Sequence, residues 1–407
     1  VMYTETVEIS GHIIDSLLLP KILDELLKNG LDFKIEELRV GKKREDPSYA
    51  RIMLSAKDEQ TLDRVLKRIR QHGATLVDEQ DCTLRPVEQD GVFPDDFYST
   101  TNQQTRIRLG GRWLEVERPE MDCGIRVSPE RKRAECVPIS EVGRGDLIVT
   151  GHRGVKVMPV ERPQKEDVFG FMSSAVSTEK PKGAVVKDIA RCLQDIRYRG
   201  KKILAVAGPA VVHTGAAPHF VRLIQSNYIN ILFAGNALAV HDIEYALFGT
   251  SLGVYLDRGI PAVHGHENHM RAINAIRRCG GIRQAVEQGV LRSGIMHACV
   301  THDVPFLLAG SIRDDGPLPE VITDVIEAQR GMRQMIGDVG VALMIATTLH
   351  SVAVGNLLPA AVRTICVDIN PAVVTKLADR GSFQAAGIVT DIEPFLRELC
   401  GELRIWG

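Results

Sequence analysis

No stretch of this chain approaches the roughly 20 consecutive apolar residues that a membrane span needs. The opening residues, VMYTETVEIS, lack the basic-then-apolar layout of a secretory leader. Aromatic residues are scarce at 5%, no long basic run occurs, and Lys+Arg 50 against Asp+Glu 52 leaves a net charge of −2. A dedicated nucleic-acid binder needs a basic surface, so that class is set aside. The 8 cysteines run from Cys82 to Cys400 without a C-x-x-C pair, which suits reduced thiols and neither a disulfide frame nor a zinc knuckle. A cytoplasmic protein with no membrane or nucleic-acid partner is the expectation.

What is present is core. The chain is 44% hydrophobic over 407 residues, enough for two or three domains at about 100–200 residues each. Residues 1–100 read as β-α-β-β-α-β, the order of a ferredoxin-like α+β module. Such modules often regulate or pair subunits, and a homo-oligomer is expected. Residues 101–163 break into short strands (TRIRLGG, RWLEVE, CGIRVS, AECVPIS, DLIVTG, VKVMPV) between Gly and Pro turns, the texture of a small β-barrel or roll. A polar, Pro-flanked connector covers 164–182; its Phe169, Phe171 and Met172 suggest docking against another domain.

From 183 to 407 the pattern is strand, break, helix, repeated. KKILAVAGPA, NINILFAGN, VPFLLAGSI, VALMIATTLHS, RTICVDINP and AAGIVTD are buried-strand candidates. HFVRLIQ, NALAVHDIEYALF, ENHMRAINAIRR, PLPEVITDVIEAQRGMRQMI and PAVVTKLADR are helical between them. Alternation of this kind specifies an α/β, Rossmann-like parallel sheet covered on both faces, with ligands beyond the carboxyl ends of its strands.

The breaks carry the candidate chemistry. In ILAVAGPAVVHTGA, Gly208, Pro209 and Ala210, then Thr214, Gly215 and Ala216, lie between a strand and a helix. There free N–H groups and the positive helix end face an anion such as a pyrophosphate. The match is neither G-x-G-x-x-G nor a P-loop, and an ordinary strand-turn-helix reads the same way. Gly235, Asn236 and Ala237 form a similar break, as do Leu349 and His350 with Gly355 and Asn356 beyond them. Asp368 ends a strand, where a carboxylate accepts ribose hydroxyls and repels a 2′-phosphate, favouring NAD over NADP; the alternative is a helix cap, for which Asn370 beside Ile369 is better placed. Asp391 is equally an N-cap or a cofactor contact. His241 and Asp242 suggest proton transfer tuned by a carboxylate, although neighbours on a helix point apart and a plain core or surface histidine fits too. HGHENH (264–269) has no metal-binding spacing and reads as a polar turn opening a helix at Asn268, so no metal is expected. Arg313, Asp314 and Asp315 sit in a charged loop that either grips an amino acid or is merely solvated.

MDCGIRV (121–127), GDLIVTGHRGVKV (145–157), FGFMSSAVSTEKPK (169–182), AGNALAVHDIE (234–244), LAGSIRDDGPLPEV (308–321), TLHSVAVGNLLP (348–359) and VDINPAVVTKLADRGS (367–382) together resemble the archaeal-type ornithine cyclodeaminases. That family shares its N-terminal part with the conserved region of lysine-ketoglutarate reductase/saccharopine dehydrogenase bifunctional enzymes. Cyanobacterial arginine-degrading enzymes carry a similar region behind an arginine dihydrolase domain; with the resemblance starting near residue 1, no such domain is expected here. The C-terminal half is also similar to the deoxyhypusine synthase/sirtuin type of NAD-binding fold; GTSL (249–252) mimics a sirtuin signature at the wrong place in the order. The μ-crystallin-like cyclodeaminases show a different Rossmann pattern and lend no residues.

The resemblance implies conversion of L-ornithine to L-proline and ammonia, with bound NAD taking hydride from Cα and returning it to the ring imine. It makes Asp122, Cys123, His241 and Asp242 the candidates for proton transfer, and Arg313 the candidate for the substrate carboxylate. Cys123 reads equally as a small buried residue of the β module. Two rival functions stand beside this one: a non-catalytic sensor of NAD and an amino acid, and a saccharopine-type NAD-dependent dehydrogenase.

Overall fold

The computed structural model describes residues 3–14, 17–42, 46–76, 80–130, 132–158, 182–262, 265–373 and 385–405. The connector, the FGFMSSAVSTEKPK motif and most of the helix expected in PAVVTKLADR lie outside them. The chain divides into two compact units, residues 1–167 with 358–361 and residues 168–357 with 362–407.

The first unit opens with β1 (Tyr3–Gly11), α1 (Leu18–Lys28), β2 (Asp32–Arg39), β3 (Ser48–Ala56), α2 (Glu59–Gln71) and β4 (Thr75–Leu76). The four strands form an antiparallel sheet in the order β2-β3-β1-β4, the split βαβ arrangement that the element order predicts. Period-two burial of Val7 and Ile9 on β1 and of Ala50, Ile52 and Leu54 on β3 gives the sheet one apolar face. Ile22 and Leu26 on α1 and Val65 and Ile69 on α2, each pair four residues apart, cover it. The second part comprises β5 (Thr83–Pro86), β6 (Gln104–Leu109), β7 (Arg112–Glu117), β8 (Gly124–Val127), β9 (Ala134–Val137), β10 (Leu147–Thr150) and β11 (Val155–Met158). They run β11-β6-β7-β9-β8-β10-β5. The sheet is rolled: a Cβ at Gly154, just before β11, would collide with the backbone of Cys82, just before β5. The strand Thr83–Pro86 comes from residues whose sequence reads as the tail of the preceding module. Residues 358–361 also belong here, with the Ala360 N–H donating to the Asn102 carbonyl at 2.8 Å.

The second unit begins with α3 (Lys182–Tyr198), β12 (Lys202–Ala207), α4 (Ala210–His213), α5 (Ala217–Gln225), β13 (Ile231–Gly235) and α6 (Asn236–Phe248). A small antiparallel sheet follows, β14 (Thr250–Ser251), β15 (Val254–Tyr255) and β16 (Ile260–Pro261), then α7 (Asn268–Cys279), α8 (Ile282–Glu287) and α9 (Ile295–Thr301). The unit closes with β17 (Phe306–Ala309), β18 (Val321–Ile322), α10 (Val325–Met335), β19 (Val339–Ile345), α11 (Thr348–Leu357), β20 (Arg363–Asp368), β21 (Ala385–Val389) and α12 (Ile392–Glu402).

Seven strands form one parallel sheet in the order β18-β17-β13-β12-β19-β20-β21. Its central strands are continuous apolar runs because both faces are covered: Ile203 to Ala207 and Val341 to Ile345 are all fully buried. From β12 the chain steps outward to β13, β17 and β18, then returns to β19 on the other side of β12. The sheet therefore reverses its winding between β12 and β19, and that is where such folds bind ligands. One segment departs from its pattern: PLPEVITDVIEAQRGMRQMI is helical only from Val325, and Val321 and Ile322 instead add the edge strand β18. Among the described residues no helix is long and apolar enough to cross a membrane.

Candidate active site

The parallel register sets the carboxyl ends of the central strands level. Ala207 pairs with Ala234 and with Ile345, and Ile345 pairs with Val367, so Gly208, Gly235, Ala346 and Asp368 form one row along the edge. Backbones crowd in this row. A Cβ on Gly208 would overlap the Ala346 carbonyl oxygen, and one on Gly235 would lie 3.0 Å from Cε1 of His350. Ala346 itself holds φ at 50°, a strained value for a side-chain residue. Glycine is needed at 208 to let main chain approach main chain and at 235 to leave room for the His350 ring.

Pro209 and Ala210 start the four-residue α4; Thr214, Gly215 (φ 77°) and buried Ala216 join it to α5. The Thr214 hydroxyl is turned back onto the Ala210 carbonyl at 2.8 Å. Asn236 and Ala237 open α6 without an intervening loop. The Asn236 side chain is committed to the 308–320 loop, accepting from Leu318 N–H at 3.1 Å and donating to the Gly316 carbonyl at 3.4 Å. Leu349 and His350 lie in the first turn of α11. Leu349 projects into solvent, while burial lowers the His350 pKa against the pull of Asp314. Gly355 and Asn356 are in the later turns of that helix, not in a break after β19, because α11 runs unbroken to Leu357. Ser351, also in α11, is 1% exposed.

Asp368 is buried at the end of β20, its Oδ1 accepting from Asn370 N–H at 2.8 Å. Asn370 in turn accepts from Ala372 N–H at 3.0 Å, so the capping role belongs to Asn370. Ile369 between them is 71% exposed. Asp391 stands at the N-cap of α12 with no side-chain cap bond. In the charged loop, Asp314 accepts from Ser311 N–H at 2.8 Å and Arg313 is exposed. Asp315 lies 3.3 Å from His269 Nε2.

His241 and Asp242 point to different places. The Asp242 carboxylate is fully buried and accepts from Ile295 N–H at 2.7 Å and Met296 N–H at 2.8 Å, holding the start of α9. Burial pushes its pKa up to about 6 against those two bonds. His241 turns instead to Glu244, one helical turn on, with Nδ1 2.8 Å from Oε2. Glu244 is fully buried and also accepts from the Thr250 hydroxyl at 2.9 Å, Gly253 N–H at 3.0 Å and Leu252 N–H at 3.2 Å. Burial alone would raise its pKa; the bonds from His241, Gly253 and Thr250 outweigh it and hold the carboxyl below its ordinary value. The His213 ring stands edge-on to His241, centroids 4.7 Å apart, with its Nδ1 2.6 Å from Ser251 Oγ. His269 follows at 6.5 Å from His241. Among the described residues no group of His, Cys, Asp or Glu is arranged to hold a metal ion.

Sequence reading names His241 and gives no role to Glu244 or His213, and it reads His269 only as part of the polar turn HGHENH. The spacing rule that separates His241 from Asp242 also joins it to Glu244, since residues three apart share a helix face. His213 and His269 come from α4 and α7, and nothing local in their sequence pairs them with His241.

Asp122 and Cys123 lie in the first unit. Asp122 is exposed at φ 60°. Cys123 is 1% exposed in the core of the roll, its N–H donating to the Thr100 hydroxyl at 3.0 Å. That burial is the ordinary fate of a small residue just before a core strand.

His213 makes stability depend on pH. Burial, and His241 beside it, push its pKa down from 6.5 to about 4. Between those values the unfolded chain binds more protons than the folded one, so stability rises with pH. Its contribution is complete above the unfolded value and is lost as pH falls toward 4. Urea unfolding at pH 5 and pH 7.5 should therefore show a smaller loss on acidification in His213→Gln than in the wild type; equal losses would count against this.

Three family profiles tile the chain: "LOR/SDH bifunctional enzyme conserved region" over residues 4–103, "Arginine dihydrolase ArgZ-like, C-terminal, first region" over 104–186, and "Arginine dihydrolase ArgZ-like, C-terminal, Rossmann fold" over 187–399. An ornithine cyclodeaminase of Methanothermobacter thermautotrophicus is 55% identical over 404 residues, 99% of this chain and 98% of that protein. The crystal structure of cyanobacterial ArgZ, an arginine dihydrolase, superposes with a TM-score of 0.86 at 36% identity, over 99% of this chain and 58% of that one. AgrE, a bifunctional arginine dihydrolase/ornithine cyclodeaminase of Nostoc, matches with a TM-score of 0.53 and 39% identity in its ternary complex with ornithine and NAD+, again over 99% and 58%. With matches that run the length of the chain, this protein belongs to the archaeal-type ornithine cyclodeaminase family, whose fold recurs as the C-terminal part of the ArgZ-like enzymes.

Proposed function

We propose that this chain is an ornithine cyclodeaminase, converting L-ornithine to L-proline and ammonia with NAD at the carboxyl edge of its parallel sheet. The observation that carries the reading is the level row of Gly208, Gly235, Ala346 and Asp368 at the reversal between β12 and β19. The likeness to AgrE, whose ternary complex holds ornithine and NAD+, supports it.

The residues present fit a dinucleotide. Gly208 and Gly235 add no side chain of their own to the edge, and the N-terminus of α11 offers free N–H groups to phosphate. Asp368 keeps one oxygen for ribose hydroxyls, since Asn370 N–H engages the other. When bound, NAD supplies a group that takes up hydride and gives it back. Arg313 and Asp315 on the loop after β17 would receive the carboxylate and an ammonium group of the amino acid, and His241 would exchange protons with its nitrogen.

Asp368→Ala is expected to weaken NAD by at least tenfold, because two hydrogen bonds to a charged group are worth about 1.5–3 kcal/mol each before water recovers part of it. Turnover at saturating NAD should persist, and unchanged affinity in a folded variant would remove Asp368 from the ribose site.

The reaction itself is tested with ornithine deuterated at Cα. Proline should keep the deuterium, ammonia should appear with it, and no NADH should accumulate. Label on accumulating NADH would mean a dehydrogenase, label lost to water an elimination through a carbanion, and binding without ammonia release a sensor.

A further inference from the structure

We infer that Glu244 is the positioning residue of proton exchange, fixing His241 with its proton on Nδ1 and its Nε2 lone pair free for the substrate nitrogen. The inference rests on the cyclodeaminase reading and deepens it. Its basis is the donor count at one buried carboxylate. Oε1 accepts from the Thr250 hydroxyl and Gly253 N–H, and Oε2 from Leu252 N–H and His241 Nδ1. Three of these donors are fixed by the chain and come from the β14 strand and the turn after it, so the carboxylate cannot swing away. An ionised carboxylate only accepts, so the fourth group must donate as well. That assigns the His241 proton to Nδ1 in the neutral ring.

The groups facing His241 from each packed element agree. Glu244 is on its own helix; His213, from α4, presents a ring edge and keeps its Nδ1 on Ser251. From α7, His269 stands 6.5 Å away and is paired with Asp315 of the loop after β17. Asn268, also from α7, donates to the Thr250 hydroxyl at 2.9 Å and fixes that donor on Glu244. Among the described residues Glu244 is the one carboxylate paired with His241, and it offsets the charge when the ring is protonated.

The step balances. Neutral His241 takes a proton from the substrate α-ammonium, breaking N–H and forming Nε2–H, while Glu244 offsets the imidazolium charge. The same proton then goes to the nitrogen that leaves as ammonia, restoring the neutral ring. Asp242 takes no part, being held by α9.

The test combines kinetics with the tautomer. In Glu244→Gln, kcat should fall by about 10²-fold, within the range a positioned acid–base group contributes, while NAD affinity and the KM for ornithine hold. His241→Ala should fall at least as far, and the double variant no further than His241→Ala alone, since residues acting as a unit are not additive. The 15N shifts of His241 in the wild type should show Nδ1 protonated and Nε2 bare, a measurement that needs no variant to fold. Wild-type kcat in Glu244→Gln, additive losses, or a protonated Nε2 in the neutral ring would each overturn the inference. A wild-type enzyme that releases no proline from ornithine while showing the Nδ1 tautomer would overturn the cyclodeaminase reading and leave the His241–Glu244 pair standing.

Discussion

Gly208→Ala is expected to abolish NAD binding at working concentrations and to destabilise the second unit by about 1–3 kcal/mol, the range for forcing a methyl into packed structure. The added carbon would land on the Ala346 carbonyl and 3.1 Å from Thr347 Cβ. Neither neighbour has room to retreat. The Gly208 N–H is bonded to the Ile345 carbonyl at 2.9 Å, and Ala346 N–H to the Val367 carbonyl at 3.0 Å, so relief means parting the strand ends at the reversal point. Gly215→Ala is the control: it sits at φ 77° with nothing near its missing Cβ, so it carries backbone strain and no collision. Nucleotide titration beside urea unfolding separates the two. Undiminished NAD affinity in Gly208→Ala would move the cofactor away from this edge.

Asp242→Ala should lower stability by about 3 kcal/mol, because it strands two buried N–H groups at about 1–3 kcal/mol each, and removing a buried charge returns part of that. Ile295 and Met296 are themselves fully buried, so water does not reach the abandoned donors. Asp242→Asn keeps one acceptor and should fall between the two. If Asp242→Ala unfolded at the wild-type urea concentration yet lost turnover, the carboxylate would be chemical rather than architectural.

Much of this architecture is written in short-range pattern. ILAVA, ILFA, VALMI and ICV are apolar at every position, which only a doubly covered strand tolerates, and the first two run straight into Gly208 and Gly235 at the crowded edge. The strand Val321–Ile322 is hidden because two residues carry no period of their own, and what makes them a strand is the neighbouring Leu308–Ala309 ladder. Helices α8 and α9 are short and begin at glycines rather than side-chain caps, so their sequences give weak start signals. The row of strand ends is legible in the sequence, and the groupings that depend on packing are not. His241 is visible as a type of residue, but its partner Glu244 is recognised only once Thr250, Leu252 and Gly253 are seen to converge on the same carboxylate. Asp242 misleads for the complementary reason: it neighbours His241 in sequence, while its bonds go to residues more than fifty positions away.

The four residues 358–361 give the first unit an order of assembly. Ala360 closes onto Asn102 across more than 250 residues of intervening chain, so a ribosome has delivered five of the seven strands of the parallel sheet before this N-terminal piece receives that backbone partner. A fragment ending near residue 167 would leave the buried Asn102 without the Ala360 N–H on its carbonyl. Supplying 358–361 as a peptide should then protect the Thr100–Thr105 amides from hydrogen exchange.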